Sequence, residues 1–536
     1  MQIPSISIGA GLLRPLFIGL VCLASGCGNG SSGGSGDSFA PEPAAADGST
    51  DNSSTWEPGV FLPAETFANR CESPRSGAGF PDVAGTALDE KNWLRSWSND
   101  LYLWYDEIED RDPADFGVQE YFDLLVTNEL TDSGARKDNF HFYLPTEDWL
   151  AQSQSGVFLG YGLQWALLET RPPRHVVIAY TEQAGKPVGA ERGARVLEVD
   201  GIDLVNADDD ASINALNAAL FPETDGAQHS FTLEYVDGSV GTITLTAGTF
   251  ETDPVQFIKV EDAAFGRRVG YMLFNDHIAI AEKQLVEAVE YLDGQNIDEL
   301  VLDLRYNGGG LLTMASQLAY MIAGDVLTAG QTFEQMVFND KHPETNPVTG
   351  QPLDPMPFIG VTGSGGELPQ GQPLPTLAPA LERVFVLTGG ATCSASEAII
   401  NGLRGVDFEV IQVGGQTCGK PYGFYPTDNC GTTYFTIQFT GVNAKGFGEY
   451  SDGFVPNGSG SAGVPGCAVL DDFSRPLGDP SEARFATALN YIETGSCSGS
   501  LASGYSSMGD SGMRLQGSGQ SVFKSMWREN RIVGGM

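Results

Sequence analysis

The chain has 536 residues, of which 41% are hydrophobic. That length and composition suit about three folded units and exclude global disorder. Its formal charge of −40, from 29 basic and 69 acidic side chains, repels nucleic acid and anionic lipid head groups, so neither is expected as a partner.

In chain order, Arg14 precedes an apolar run over residues 16–24, followed by Ser25-Gly26-Cys27. The run is too short to span a bilayer as a stable helix and reads as a signal peptide. Small residues ahead of a cysteine resemble a bacterial lipoprotein signal, although Ala24 stands where such signals usually carry leucine. The resemblance implies lipidation of Cys27, with an ordinary signal peptide as the alternative. Residues 1–27 are then the signal, and the Gly/Ser- and Pro/Ala-rich residues 28–55 a flexible tether. The expected location is a bacterial cell envelope, lipid-anchored, facing periplasm or outside. Of eight cysteines, Cys71, Cys393, Cys418, Cys430, Cys467 and Cys497 remain in the body. An even count in an exported chain favours disulfides. Proximity suggests Cys418–Cys430 and Cys467–Cys497, with Cys393–Cys418 as an alternative. No C-x-x-C pair is present, which argues against a zinc ribbon, and no metal or organic cofactor is expected.

Residues 56–153 read as a helical cap. Trp93, Trp97, Leu101 and Trp104 recur at helical spacing, and Tyr121, Leu124 and Leu125 mark a second helix. Residues 154–252 change to short strands with glycine turns. Gly160 and Gly162 allow backbone N–H groups to converge on an anion, and the strand that follows offers an edge to an extended peptide. With the strand-turn Leu197-Glu198-Val199-Asp200-Gly201, the segment resembles a PDZ domain. The resemblance implies that Gly160, Tyr161, Gly162 and Leu163 bind the end of a peptide tail; a small β-barrel without a ligand is the alternative.

Residues 253–498 alternate strands and helices: Val269 to Phe274, a helix from Ala279 to Leu292, Leu300 to Leu304, Val384 to Thr388, and a helix from about Ser396. This alternation predicts a sheet covered by helices. Residues 339–377 are Pro/Gly-rich and read as a long surface loop or lid-like insertion. Residues 499–536 are a Gly/Ser-rich tail, whose last stretch, with Phe523, Met526, Trp527 and Ile532, suits a short amphipathic helix or a frayed end.

Three segments of this region carry chemistry. Asp303-Leu304-Arg305-Tyr306-Asn307-Gly308-Gly309-Gly310 ends a buried strand in glycines before a helix, a place suited to an oxyanion. No Walker-type Gly-Lys-Ser/Thr follows, against nucleotide binding. Thr392-Cys393-Ser394-Ala395-Ser396-Glu397 sets a serine at a strand-to-helix turn, as nucleophile elbows do; Ser396 and Glu397 read as helix-capping residues. Thr417-Cys418-Gly419-Lys420-Pro421 supplies a lysine, which serves as a base where desolvation lowers its pKa. None of the five histidines lies in the serine or lysine segment.

In this order, after a PDZ-like region, the three segments resemble the C-terminal processing peptidases, or tail-specific proteases, over about residues 90–495. The resemblance implies a Ser–Lys dyad of Ser394 and Lys420, oxyanion donors on the backbone of Gly309 and Ala395, and a PDZ domain that binds substrate tails. Pro421 and Phe424 replace a glycine and a glutamine that many members carry after the lysine; Asn401 or Gln438 is the expected substitute for the glutamine. The expected fold is α+β / α/β multidomain: helical cap, PDZ-like β-barrel, and an α/β core of ClpP/crotonase type. The expected function is endopeptidase cleavage of polypeptides through an acyl-enzyme. A catalytically idle peptide-binding lipoprotein, or an esterase or amidase using the same dyad, are the alternatives.

Overall fold

The computed structural model describes residues 56–497 and 531–532, less residues 78, 132, 183–185, 264–265 and 364–366. The signal, the tether with Cys27, and residues 521–530 of the tail lie outside the described residues.

The core is a six-stranded sheet in the order Val255–Asp262, Arg268–Phe274, Glu299–Asp303, Arg383–Thr388, Glu409–Gly414 and Gly466–Ala468. The first pair is antiparallel and the rest are parallel. The central strands are apolar at nearly every position because both faces are covered. Alternate residues point to opposite faces. Met272, Leu300, Leu302, Val384 and Val386 meet the helices Ala281–Gly294, Leu312–Thr328 and Ala395–Gly405. Tyr271, Val301, Phe385, Leu387 and Ile411 meet the helix Ala483–Thr494. Parallel pairing requires crossover helices, and these leave the strand ends, where Asn307 and Ser394 lie, at one edge.

A second sheet, antiparallel throughout, runs Val240–Thr246, Gln228–Glu234, Arg195–Val199, His175–Thr181, Leu163–Glu169, with the helix Asp210–Leu220 sharing its core. Leu163–Glu169 ends the strand order. The helix Thr146–Ser155 precedes this sheet in the chain. The strands on either side of the sheet in sequence, Val157–Gly160 and Gly248–Glu251, pair antiparallel. Arg192 reaches from this sheet into the core, with Nη2 2.7 Å from Asp471 Oδ1 and Nη1 2.7 Å from the Tyr306 hydroxyl.

In the region before residue 146, Thr86 caps the helix Ala87–Leu101 in a capping box with Asp89. Trp93 and Trp97 stack at 5.1 Å and pack on Tyr434. Tyr434 belongs to the strand Thr432–Phe435, which pairs with Phe142–Pro145, so this region is sewn onto the segment that follows Lys420. The Pro/Gly-rich stretch after Phe338 is anchored at its start, where Asn339 Nδ2 donates to the carbonyls of Asp100 and Tyr102.

The disulfides correct one expected pairing. Cys418 bonds Cys393 rather than Cys430, Cys430 bonds Cys71 across 359 residues, and Cys467–Cys497 forms as expected. Nearness in sequence misled because Cys430 sits on a turn that the fold brings back to Asn69–Cys71, where Asn69 N–H donates to Asn429 Oδ1.

Candidate active site

The strand Arg383–Thr388 ends in Gly389-Gly390-Ala391, and Ser394 stands immediately before the helix Ala395–Gly405. Its φ of 56° and ψ of −112° are strained for a non-glycine residue. Such a turn holds a serine at the sheet edge. The Ser394 hydroxyl is fully buried and makes no hydrogen bond among the described residues. Ala395 follows as the first helical residue, so its N–H is one of the amide donors with no intrahelical acceptor.

Glu397 organises the site. Its Oε2 accepts the N–H of Ser394 at 2.9 Å and of Lys420 at 2.8 Å; its Oε1 accepts the Gly419 N–H at 2.9 Å and the Thr417 hydroxyl at 2.5 Å. Burial pushes this carboxyl above the usual range, and the donors oppose that shift. The disulfide Cys393–Cys418 and the bond from Cys418 N–H to the Thr392 carbonyl, 3.0 Å, clamp the serine and lysine loops together. Sequence reading gave Glu397 only a helix-capping role. The signal available was its place three residues after Ser394, which puts the carboxylate back over the turn.

Lys420 is fully buried, with Nζ 4.5 Å from the Phe140 ring and 4.6 Å from the Phe424 ring. Phe140 and Phe424 therefore both present aromatic faces to the Lys420 side chain. Asn401 and Gln438 are engaged elsewhere. Asn401 donates to the Phe447 carbonyl and accepts from Asn443; Gln438 Oε1 accepts the Tyr425 N–H at 3.0 Å.

The glycine loop is held from below by His277, a residue the sequence did not single out. His277 Nδ1 lies 2.9 Å from Asn307 Oδ1. Asn307 Nδ2 donates to the Phe274 carbonyl, so Oδ1 is the acceptor and Nδ1 of His277 carries the proton. Burial lowers the His277 pKa to about 4. The same Asn307 oxygen accepts the Gly309 N–H at 2.9 Å, so this expected oxyanion donor is engaged within the loop here. Arg305 lies buried between Asp303, Asp471 and Glu482. Its ion pairs anchor the loop's start.

In the second sheet, Tyr161 is a core residue, its hydroxyl donating to the Ala219 carbonyl at 2.7 Å. Gly160 pairs with Gly248, Gly162 adopts a φ of 68°, and Leu163 opens the edge strand opposite Thr181.

The model of peptidase family S41 matches residues 268–425, a window that takes in all three chemical segments. The chain is 26% identical over 272 residues to a carboxyl-terminal-processing protease of Picosynechococcus sp., covering 51% of this chain and 56% of that protein. It is 28% identical over 178 residues to a carboxyl-terminal-processing protease of Synechocystis sp., covering 32% of this chain and 39% of that protein. The chain thus spans about half or less of the length of these curated relatives. A crystal structure of an S41 protease candidate from Bacteroides fragilis superposes with a TM-score of 0.51 at 21% identity, covering 78% of this chain and 99% of that one; it shares the mixed α/β multidomain fold. Residues 268–425 thus match peptidase family S41, and the curated proteins to which the chain is similar are carboxyl-terminal-processing proteases.

Proposed function

We propose that this chain is a serine endopeptidase of the bacterial cell envelope, with Ser394 as nucleophile and Lys420 as general base. The observation that carries this reading is the convergence of the serine and lysine loops on one buried carboxylate, Glu397, and one disulfide, Cys393–Cys418. Glu397 caps its own helix at Ser394 and also reaches across to Thr417, Gly419 and Lys420, so one side chain holds two loops from different strand ends in register. In the reaction, Ser394 Oγ attacks a peptide carbonyl and its proton passes to Lys420 Nζ. The C–N bond breaks as the amine takes that proton, leaving an acyl-Ser394 ester that water hydrolyses with Lys420 again as base. The Ala395 N–H holds the oxyanion, joined by Gly309 once its N–H leaves Asn307. No metal or organic cofactor enters these steps.

The sheet with the edge strand Leu163–Glu169 acts as a PDZ-like reader of substrate tails, with Gly160, Tyr161, Gly162 and Leu163 at its binding loop. Its edge position and the helix Asp210–Leu220 beside it support that role. Cys27 carries the lipid anchor, and polypeptides are the substrates. Ser394→Ala is expected to abolish hydrolysis of an unfolded polypeptide such as casein while leaving the circular dichroism spectrum unchanged. Undiminished hydrolysis by that variant rejects the assignment.

A further inference from the structure

One short strand has no place in the two main sheets. Gly310–Leu311 follows directly on the glycine loop, bonded on one side to His277, where Leu311 N–H donates to the His277 carbonyl at 2.7 Å. Arg531–Ile532, from the far end of the sequence, also pairs with it, in parallel, as Gly310↔Arg531 and Leu311↔Ile532. The same Arg531–Ile532 strand runs close beside Tyr422–Gly423. Gly310 follows Gly309 directly, and Tyr422 lies two positions after Lys420. The added strand thus lies between the segment that leaves the glycine loop and the segment that leaves the lysine. Ser394, Ala395 and Lys420, beside these segments, are wholly without solvent exposure.

We propose that the strand edge Gly310–Leu311 is the subsite where an extended peptide is added in parallel register, and that this chain's own segment around Arg531–Ile532 is its resident ligand, competing with substrate. The inference rests on the peptidase reading for its consequence, though not for the binding itself. The recognition is through backbone groups, which an extended peptide of any sequence offers, so an unfolded polypeptide and the chain's own segment fit the same edge. The expected helix or frayed end is therefore replaced, at these two positions, by a strand.

The linkage is intramolecular. A segment carried on the same chain as its site is met at about millimolar effective concentration. A segment binding its site with a dissociation constant of about 100 μM is then bound about ten times as often as free, and raises the apparent KM for an external peptide about tenfold.

The test compares the full chain with a variant ending at Cys497, and with Ile532→Pro, which removes one backbone donor from the added strand. Both are expected to lower KM for an unstructured fluorogenic polypeptide, by about tenfold for the truncation, with kcat less affected. A synthetic peptide of residues 521–536 is expected to inhibit the truncated enzyme competitively. A second arm measures binding of that peptide, fluorescently labelled, to the truncated Ser394→Ala protein by anisotropy, so that it needs no turnover. Saturable binding that the unlabelled polypeptide displaces supports the proposal. Unchanged KM together with no binding overturns it. If no variant hydrolyses polypeptide, the peptidase reading fails, and the anisotropy arm still decides whether the segment binds.

Discussion

Replacing Glu397 by glutamine keeps the side chain's volume and removes half of its accepting capacity. The carboxylate takes two donors on each oxygen: Ser394 N–H and Lys420 N–H on Oε2, Thr417 hydroxyl and Gly419 N–H on Oε1. An amide in the better orientation keeps its oxygen toward Ser394 and Lys420 and turns Nε2 toward Thr417 and Gly419. Thr417 can adapt, because a hydroxyl also accepts, although its oxygen already accepts the Phe454 N–H at 2.7 Å. The Gly419 N–H cannot reverse. One charge-assisted bond worth about 1.5–3 kcal/mol is lost and a buried donor is left facing another, at a cost of about 1–3 kcal/mol. Glu397→Gln is therefore expected to destabilise the fold by about 3 kcal/mol. Because the lost partner is the residue before Lys420, labelling of Ser394 by a fluorophosphonate is expected to slow about tenfold or more. Urea unfolding at pH 7.5 under non-reducing conditions and a labelling time course measure the two effects. A stability change under about 0.5 kcal/mol with unchanged labelling refutes the reasoning, since it means the side chain is already a neutral acid with an acceptor to spare.

Other outcomes follow from the same geometry. His277 resists protonation down to about pH 4, whereas in the unfolded chain it protonates near 6.5. Between those values the unfolded state binds more protons, so stability is present above about pH 6.5 and falls by about 3 kcal/mol as pH drops toward 4. His277→Gln removes this part of the pH dependence, read by urea unfolding at pH 7 and pH 4.5; identical slopes contradict it. Changing Cys71 and Cys430 together to serine opens a loop of 359 residues and is expected to cost about 4 kcal/mol in the same assay. Arg305→Met leaves Asp303, Asp471 and Glu482 buried around a missing cation; a loss of about 4 kcal/mol, or failure to fold, is expected.

Much of the core was legible in the sequence because its signals are local. The run Leu300 to Leu304 became the strand Glu299–Asp303, Val384 to Thr388 became Arg383–Thr388, and the helix from Ala279 to Leu292 became Ala281–Gly294. Glycine spacing marked the turns where chain direction and chemistry change. What escaped was set by distant partners. Cys71 meets Cys430 only after the strand Phe142–Pro145 has paired with Thr432–Phe435. His277 stands in no motif, and it acquires a role only because Asn307 turns its oxygen toward it. Phe140 and Phe424 flank the Lys420 amine although they lie far apart in sequence, and nothing local in the sequence announces that pairing. The glycine run alone marks Gly309 as a backbone donor, while the neighbouring Asn307 side chain engages it.

The central claim is that a lysine-assisted serine at position 394 does the chemistry. It is tested most directly by treating the protein with a fluorophosphonate probe and mapping the adduct by peptide mass spectrometry, beside Lys420→Ala. The account predicts a single adduct on the peptide carrying Ser394, lost in Lys420→Ala while the disulfides and the unfolding curve are retained. An adduct on another residue, or equal labelling of Ser394 without the lysine amine, contradicts it.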